Sequence, residues 1–136
     1  MLSPDFNNHR LQSATVTIGQ SLIALVKRSD VIAVRERLAE GAQLEETDSQ
    51  GWTPLFHAAH RGDFPMVQLL IGAGADVNHG SENGFTALFS AVLSGHVEIV
   101  KELLRVGAKP APVQGIALRG YAPTDQIRDL LDDSAS

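Results

Sequence analysis

The chain contains no cysteine, which excludes disulfides and thiolate zinc sites and makes a reducing interior its expected setting. Aromatic residues are scarce, with one Trp, one Tyr and five Phe in 136 residues. Lys and Arg never cluster into a run, and the net charge is -5, which argues against nucleic acid as a partner. No apolar run approaches membrane-spanning length, and the opening "MLSPDFNNHRLQSATVT" lacks the basic patch and apolar block of a secretory signal. What remains is an ordinary apolar fraction of 43%, enough for one domain. These absences lead to the expectation of a soluble, cytoplasmic monomer with no cofactor and no membrane contact.

What is present is a repeat. Gly41-Ala42, Gly74-Ala75 and Gly107-Ala108 recur at a spacing of 33 residues. At the same offset Gly51 matches Gly84, Thr53 matches Thr86, Leu55 matches Leu88, Ala58 matches Ala91 and Gly62 matches Gly95. Met66-Val67 aligns with Ile99-Val100, and Leu70-Ile71 with Leu103-Leu104. A fixed period of this length is the signature of a stacked architecture.

Local signals parse each copy in the same way. Thr53 can cap a helix whose first residue, Pro54, has no N–H to waste. Leu55, Ala58 and Ala59 mark one face of that helix, and Gly62 ends it in the left-handed region. Asp63 can cap a second helix that tolerates Pro65 in its first turn. Met66, Val67, Leu69, Leu70 and Ile71 give that helix an apolar stripe. "GAGAD" then closes it, and an extended turn leads to Gly84. Small alanines keep one side of each pair thin enough for close stacking. Ordering about 33 residues costs on the order of 50 kcal/mol, more than one copy can offset by burial, so the copies must stack. The predicted fold is an all-α solenoid of helix–turn–helix units joined by short hairpin loops.

The stretches "GWTPLFHAAHRGD", "MVQLLIGAGADVN", "GFTALFSAVLSGH" and "EIVKELLRVGAK" resemble the ankyrin repeat, most specifically over residues 48–110. A degenerate first copy is expected at 18–47, full copies at 48–80 and 81–110, and a shortened last copy at 111–134. Together they make a single domain over 18–134, with 1–17 a tail or an extension of the cap. In the last copy Ile127, Leu130 and Leu131 are placed like Val100, Leu103 and Leu104, an offset of 27. Where the family has His after Thr-Pro-Leu, this chain has Phe56 and Phe89, which are expected to replace polar ties between repeats with apolar contact. The resemblance gives Asn78 the task of holding a turn, at a position hydroxylated in some eukaryotic ankyrins.

Several tempting sites dissolve into this pattern. His57 and His60, three residues apart, supply only part of a metal ligand set, so no metal site is predicted. Arg61-Gly62-Asp63 looks like an adhesion signal, but Gly62 is the helix stop of the repeat. "GAGAD" follows a helix, not a strand, and completes no dinucleotide fingerprint. No Ser, His and acid form a nucleophilic set, so no catalytic residue is predicted and the chain is expected not to be an enzyme. Glu45, Glu46 and Asp48 are expected to be solvated loop carboxylates forming an acidic rim with Glu82.

The resemblance implies binding of another protein through the concave face, made of hairpin tips and first helices. At the family's variable positions stand Ser49, Gln50, Trp52, His57, His60 and Arg61 in one copy, and Glu82, Asn83, Phe85, Ser90, Leu93 and Ser94 in the next. Trp52 and Phe85 either pack on the neighbouring loop or face a ligand. If they anchor the partner, removing both should abolish capture and leave unfolding almost unchanged. A modestly basic, partly apolar partner would suit such a rim. The implied role is a regulator or inhibitor, with a bacterial immunity-type or effector-type binder and a structural scaffold or assembly factor as alternatives.

Overall fold

A computed structural model describes residues 21–80 and 85–135. The expectations for the tail at 1–17, and for Glu82 and Asn83, lie outside these residues. The described chain runs through α1 (Leu22–Lys27), α2 (Val31–Ala39), α3 (Pro54–Arg61), α4 (Phe64–Gly72), α5 (Ala87–Ser94), α6 (Val97–Arg105), a 3-10 turn (Leu118–Tyr121) and α7 (Asp125–Ala135). Among the described residues there is no strand, only a single β-bridge between Val113 and Ile116.

The helix ends follow the sequence signals closely. The hydroxyls of Ser21, Thr53 and Thr86 accept from the amides of Ala24, Phe56 and Phe89, which begins the first helix of each unit. Gly62 and Gly95 end α3 and α5 in the left-handed region at φ 74° and 76°. Ser29 holds the equivalent place after α1, at φ 56°. Second helices start on Asp30, Asp63 and Thr124, whose side chains accept from Ala33, Met66 and Ile127. Each helix is short, and most of its stability comes from packing.

That packing places α3 between α1 and α5, with α4 and α6 behind them. Ala58, Ala59 and Ala91 are fully buried, so the thin side of each pair is where the first helices meet. Leu22, Leu25, Leu55 and Leu88 line the same seam, while Val34, Met66, Val67, Leu70, Ile99, Val100 and Leu103 fill the layer between first and second helices. Truncating one such leucine to alanine costs about 2–5 kcal/mol.

The last unit corrects one expectation. The buried residues of the second helices are Met66 and Leu70, then Ile99 and Leu103, then Ile127 and Leu131. Ile127 therefore matches Ile99, not Val100, and the offset is 28 rather than 27. Leu130 falls at the edge of the stripe and is only half-buried. The shortening lies mainly in the first helix, which is reduced to the 3-10 turn. The tight turn before it survives: Val113 and Ile116 exchange both backbone hydrogen bonds, at 3.0 and 2.9 Å. Gln114 and Gly115 both have positive φ there, as a two-residue hairpin turn requires.

Candidate functional site

Two parallel stripes of side chains run along α3 and α5. In the first, Trp52 stacks on Phe56 with ring centroids 4.5 Å apart, and His60 lies 6.5 Å from the indole. In the second, Phe85 meets Phe89 edge-on at 5.6 Å, and Leu93 follows one turn on. Spacings of four residues put each set on one face of its helix. Phe56 and Phe89 are buried, so they form apolar contacts as expected, and Phe89 also meets Tyr121 at 5.3 Å in the last unit. Trp52 and Phe85 are half-buried lids over these rings, and His60 and Leu93 are exposed. At the same position as Trp52 and Phe85, Ile116 stands 51% exposed at the tip of the last turn.

The other candidates divide. Ser49, Gln50 and Arg61 are exposed, and Ser94 is half-exposed. His57 and Ser90 are not surface residues, which corrects the expectation that they face a partner. Ser90 is fully buried, and its hydroxyl donates to the carbonyls of Phe56 and Ala87, both at 3.1 Å, binding one unit to the previous one. His57 is buried beneath Trp52, with its Nε2 2.8 Å from Asp48 Oδ2. Burial pushes His57 below its ordinary pKa, against the pull of the Asp48 carboxylate, so Nε2–H of the neutral ring is the donor. Asp48 is also held below its ordinary value. Burial acts the other way there, but is outweighed by hydrogen bonds from the amides of Trp52 and Gln50 and from His57.

The carboxylates of the expected acidic rim also have backbone partners. Asp48 Oδ1 accepts from Gln50 and Trp52 and folds the turn. Glu46 accepts from the amide of Ile23, at the start of α1. Glu45 accepts from the amide of Asp76 in the next loop, at 2.7 Å, and lies 3.4 Å from His79 Nδ1. These carboxylates satisfy N–H groups of loops and of the start of α1 while remaining half-exposed, so they are structural acceptors as well as surface charges. Asn78 does the same one unit later: its Nδ2 donates to Gly107 and its Oδ1 accepts from Lys109. It ties its loop to the following one, not only to its own turn.

A tie that the sequence reading missed is His96. It stands where the other units carry Asp30 and Asp63, and its side chain caps nothing in α6. Instead Nε2 donates to the carbonyl of His60 at 3.1 Å, and the imidazole lies over Gly62. Beside it, Ser94 Oγ and His60 Nδ1 are 3.1 Å apart. The loss of Asp at a capping position was the available signal. His57 and His60 thus turn to different partners, and no three His, Asp or Glu residues converge on a metal geometry among the described residues. No helix of the described residues is long and apolar enough to cross a membrane.

Helix pairs stacked with their first helices in contact and their second helices behind define a helical repeat protein. A model of the ankyrin-repeat family, in three copies, matches residues 22–113, and the chain belongs to that family. The 2-5A-dependent ribonuclease of Mus musculus is 35% identical over 78 residues, which are 52% of this chain and 11% of that protein. The chain therefore matches only about a tenth of that relative. Ankyrin repeats are generally protein–protein interaction modules, and such domains are typically non-catalytic.

Proposed function

We propose that this chain is a non-enzymatic regulator or inhibitor that acts as a monomer in the cytoplasm and holds a partner protein on its concave face. The observation that carries this is the pair of stripes. His60, Leu93, Trp52 and Phe85 reach the surface over Phe56 and Phe89, rings fixed in the core. Side chains held by a packed frame lose little freedom on binding, which is what makes an anchor effective. Of the expected contact residues, Ser49, Gln50, Trp52, His60, Arg61, Phe85 and Leu93 remain in this reading, whereas His57 and Ser90 serve the frame.

The geometry changes the test. Trp52 and Phe85 cover buried rings, so removing them costs stability and confounds binding with folding. His60→Asp with Leu93→Asp is the cleaner variant, because both side chains are exposed. Proteins retained from native lysate by the wild type and by a Gln68→Asp control on the exposed side of α4, but lost with the double variant, support the reading. Equal retention by all three forms refutes it.

A further inference from the structure

Building on that reading, we infer that the partner segment is acidic at one end and apolar at the other, and that it lies across the stack with its acidic end over the first two units. The position of His60 on α3 is held by Lys27 on α1 and by Leu93 on α5, at the same 33-residue spacing. All three are exposed. The next position along α3 is Arg61, equivalent to Ser94. Because Ser94 reaches back to His60 across the α3–α5 seam, Arg61 is placed to reach back towards Lys27 across the α1–α3 seam. The exposed ends of the first helices thus read Lys27 and Arg61, then His60, then Leu93.

Most cations on the second helices are ion-paired, Arg35 being an exception among the described residues. Arg37, Lys101 and Arg105 on second helices pair with Glu40, Glu98 and Glu102, carboxylates three residues away on or at the end of the same helix. Lys27 and Arg61 have no ion pair among the described residues, although the protein carries a net charge of -5. The nearby carboxylate of Asp63 is committed to Ser29 Oγ and to the amide of Met66. Glu45, Glu46 and Asp48 keep their charge, but none of them forms an ion pair with Lys27 or Arg61. Charge complementarity therefore calls for carboxylates over Lys27 and Arg61, opposite in sign to the basic partner expected from the sequence. Leu93, 50% exposed, calls for an aromatic or aliphatic side chain.

The spacing follows from the stack. Neighbouring helices pack roughly 10 Å apart, so two steps from Lys27 to Leu93 cover about 20 Å. An extended segment advances about 3.3 Å per residue, which puts the acidic group about six residues from the apolar anchor.

The test is selection from a random dodecapeptide display library against the full chain in low salt. Trp52 emission serves as a second readout, because it is the single Trp and sits on this face. Wild-type protein should enrich peptides with two or more Asp or Glu about six residues from an aromatic or Leu, and these should shift Trp52 emission. Lys27→Glu with Arg61→Glu should weaken such peptides at least tenfold and leave thermal unfolding within a few degrees. Enriched peptides that lack acidic bias, or that survive the charge reversal, overturn this inference and leave the protein-binding reading standing. Peptides that bind without moving Trp52 emission, or no enriched peptide at all, count against both. An arm with a 20-nucleotide oligothymidylate should show no binding; tight binding that is lost on charge reversal would overturn the inference in favour of nucleic acid.

Discussion

Replacing Gly62 by alanine asks two things of the fold, and Gly95 offers a control that asks only one. Both residues end a first helix at nearly the same φ, 74° and 76°. An L-residue in that region costs about 1–2 kcal/mol. At Gly95 the new Cβ would meet only Pro123 Cγ, at 3.5 Å, an ordinary contact. At Gly62 it would lie 2.7 Å from His96 Cε1, so the imidazole must move and give up its bond to the His60 carbonyl. A hydrogen bond of this kind contributes about 1 kcal/mol. Gly95→Ala should therefore cost about 1–2 kcal/mol and Gly62→Ala about 2–3 kcal/mol, or about 3–5 °C in Tm per kcal/mol for a domain of this size. Urea unfolding followed by circular dichroism measures both, and the cycle is closed with His96→Ala alone and combined with Gly62→Ala. In the His96→Ala background, Gly62→Ala should fall to the cost of Gly95→Ala. If the two glycine variants agree within about 0.3 kcal/mol, or if removing His96 leaves the excess intact, His96 is not seated as described.

Two further outcomes follow. His57 is held below its ordinary pKa, so the unfolded chain binds more protons than the folded one as pH falls through the ordinary histidine range, about 6.5. The urea midpoint should decline from about pH 6.5 downward, and subtracting the profile of His57→Gln should isolate that decline; Asp48, also depressed, adds a further loss below about pH 4. Asn78→Ala removes a donor to Gly107 and an acceptor for Lys109, and should cost about 1–2 kcal/mol by urea unfolding. Asn78→Asp, which keeps the acceptor for Lys109, should lose less than the alanine variant.

The helix pairs were legible because they rest on local chemistry. Thr53, Pro54, Gly62 and Asp63 each act within a few residues of themselves, and the period of 33 multiplies the signal. The apolar fate of Phe56 and Phe89 followed from their place between Leu55 and Ala58, and between Leu88 and Ala91, on the stacking helices. The roles of His57, Ser90, Glu45 and Glu46 were not legible, because each is decided by a partner in another turn, loop or unit that periodicity does not name. His57 was expected at a partner-facing position, yet Asp48 and Trp52 draw it inward. The bonding of the loop carboxylates Glu45 and Glu46 was not legible for the same reason: the amides they accept from lie in another element and another unit. The register of the last unit slipped by one, since a stripe of Ile127, Leu130 and Leu131 fits two registers until burial selects one.

The cross-links between units are unevenly distributed. Ser90, Ser94, His96 and Asn78 all reach across the seam between the second and third units, whereas Ser29 and Glu45 serve the seam between the first and second. In a linear stack each unit leans only on its neighbours, so such an imbalance sets an order of disassembly. Under rising denaturant or a pulling force the first pair should let go while the middle of the array still holds. Lys27 would then drift away from Arg61 before Leu93 lost its footing, and the grip on a captured segment would loosen from its charged end first.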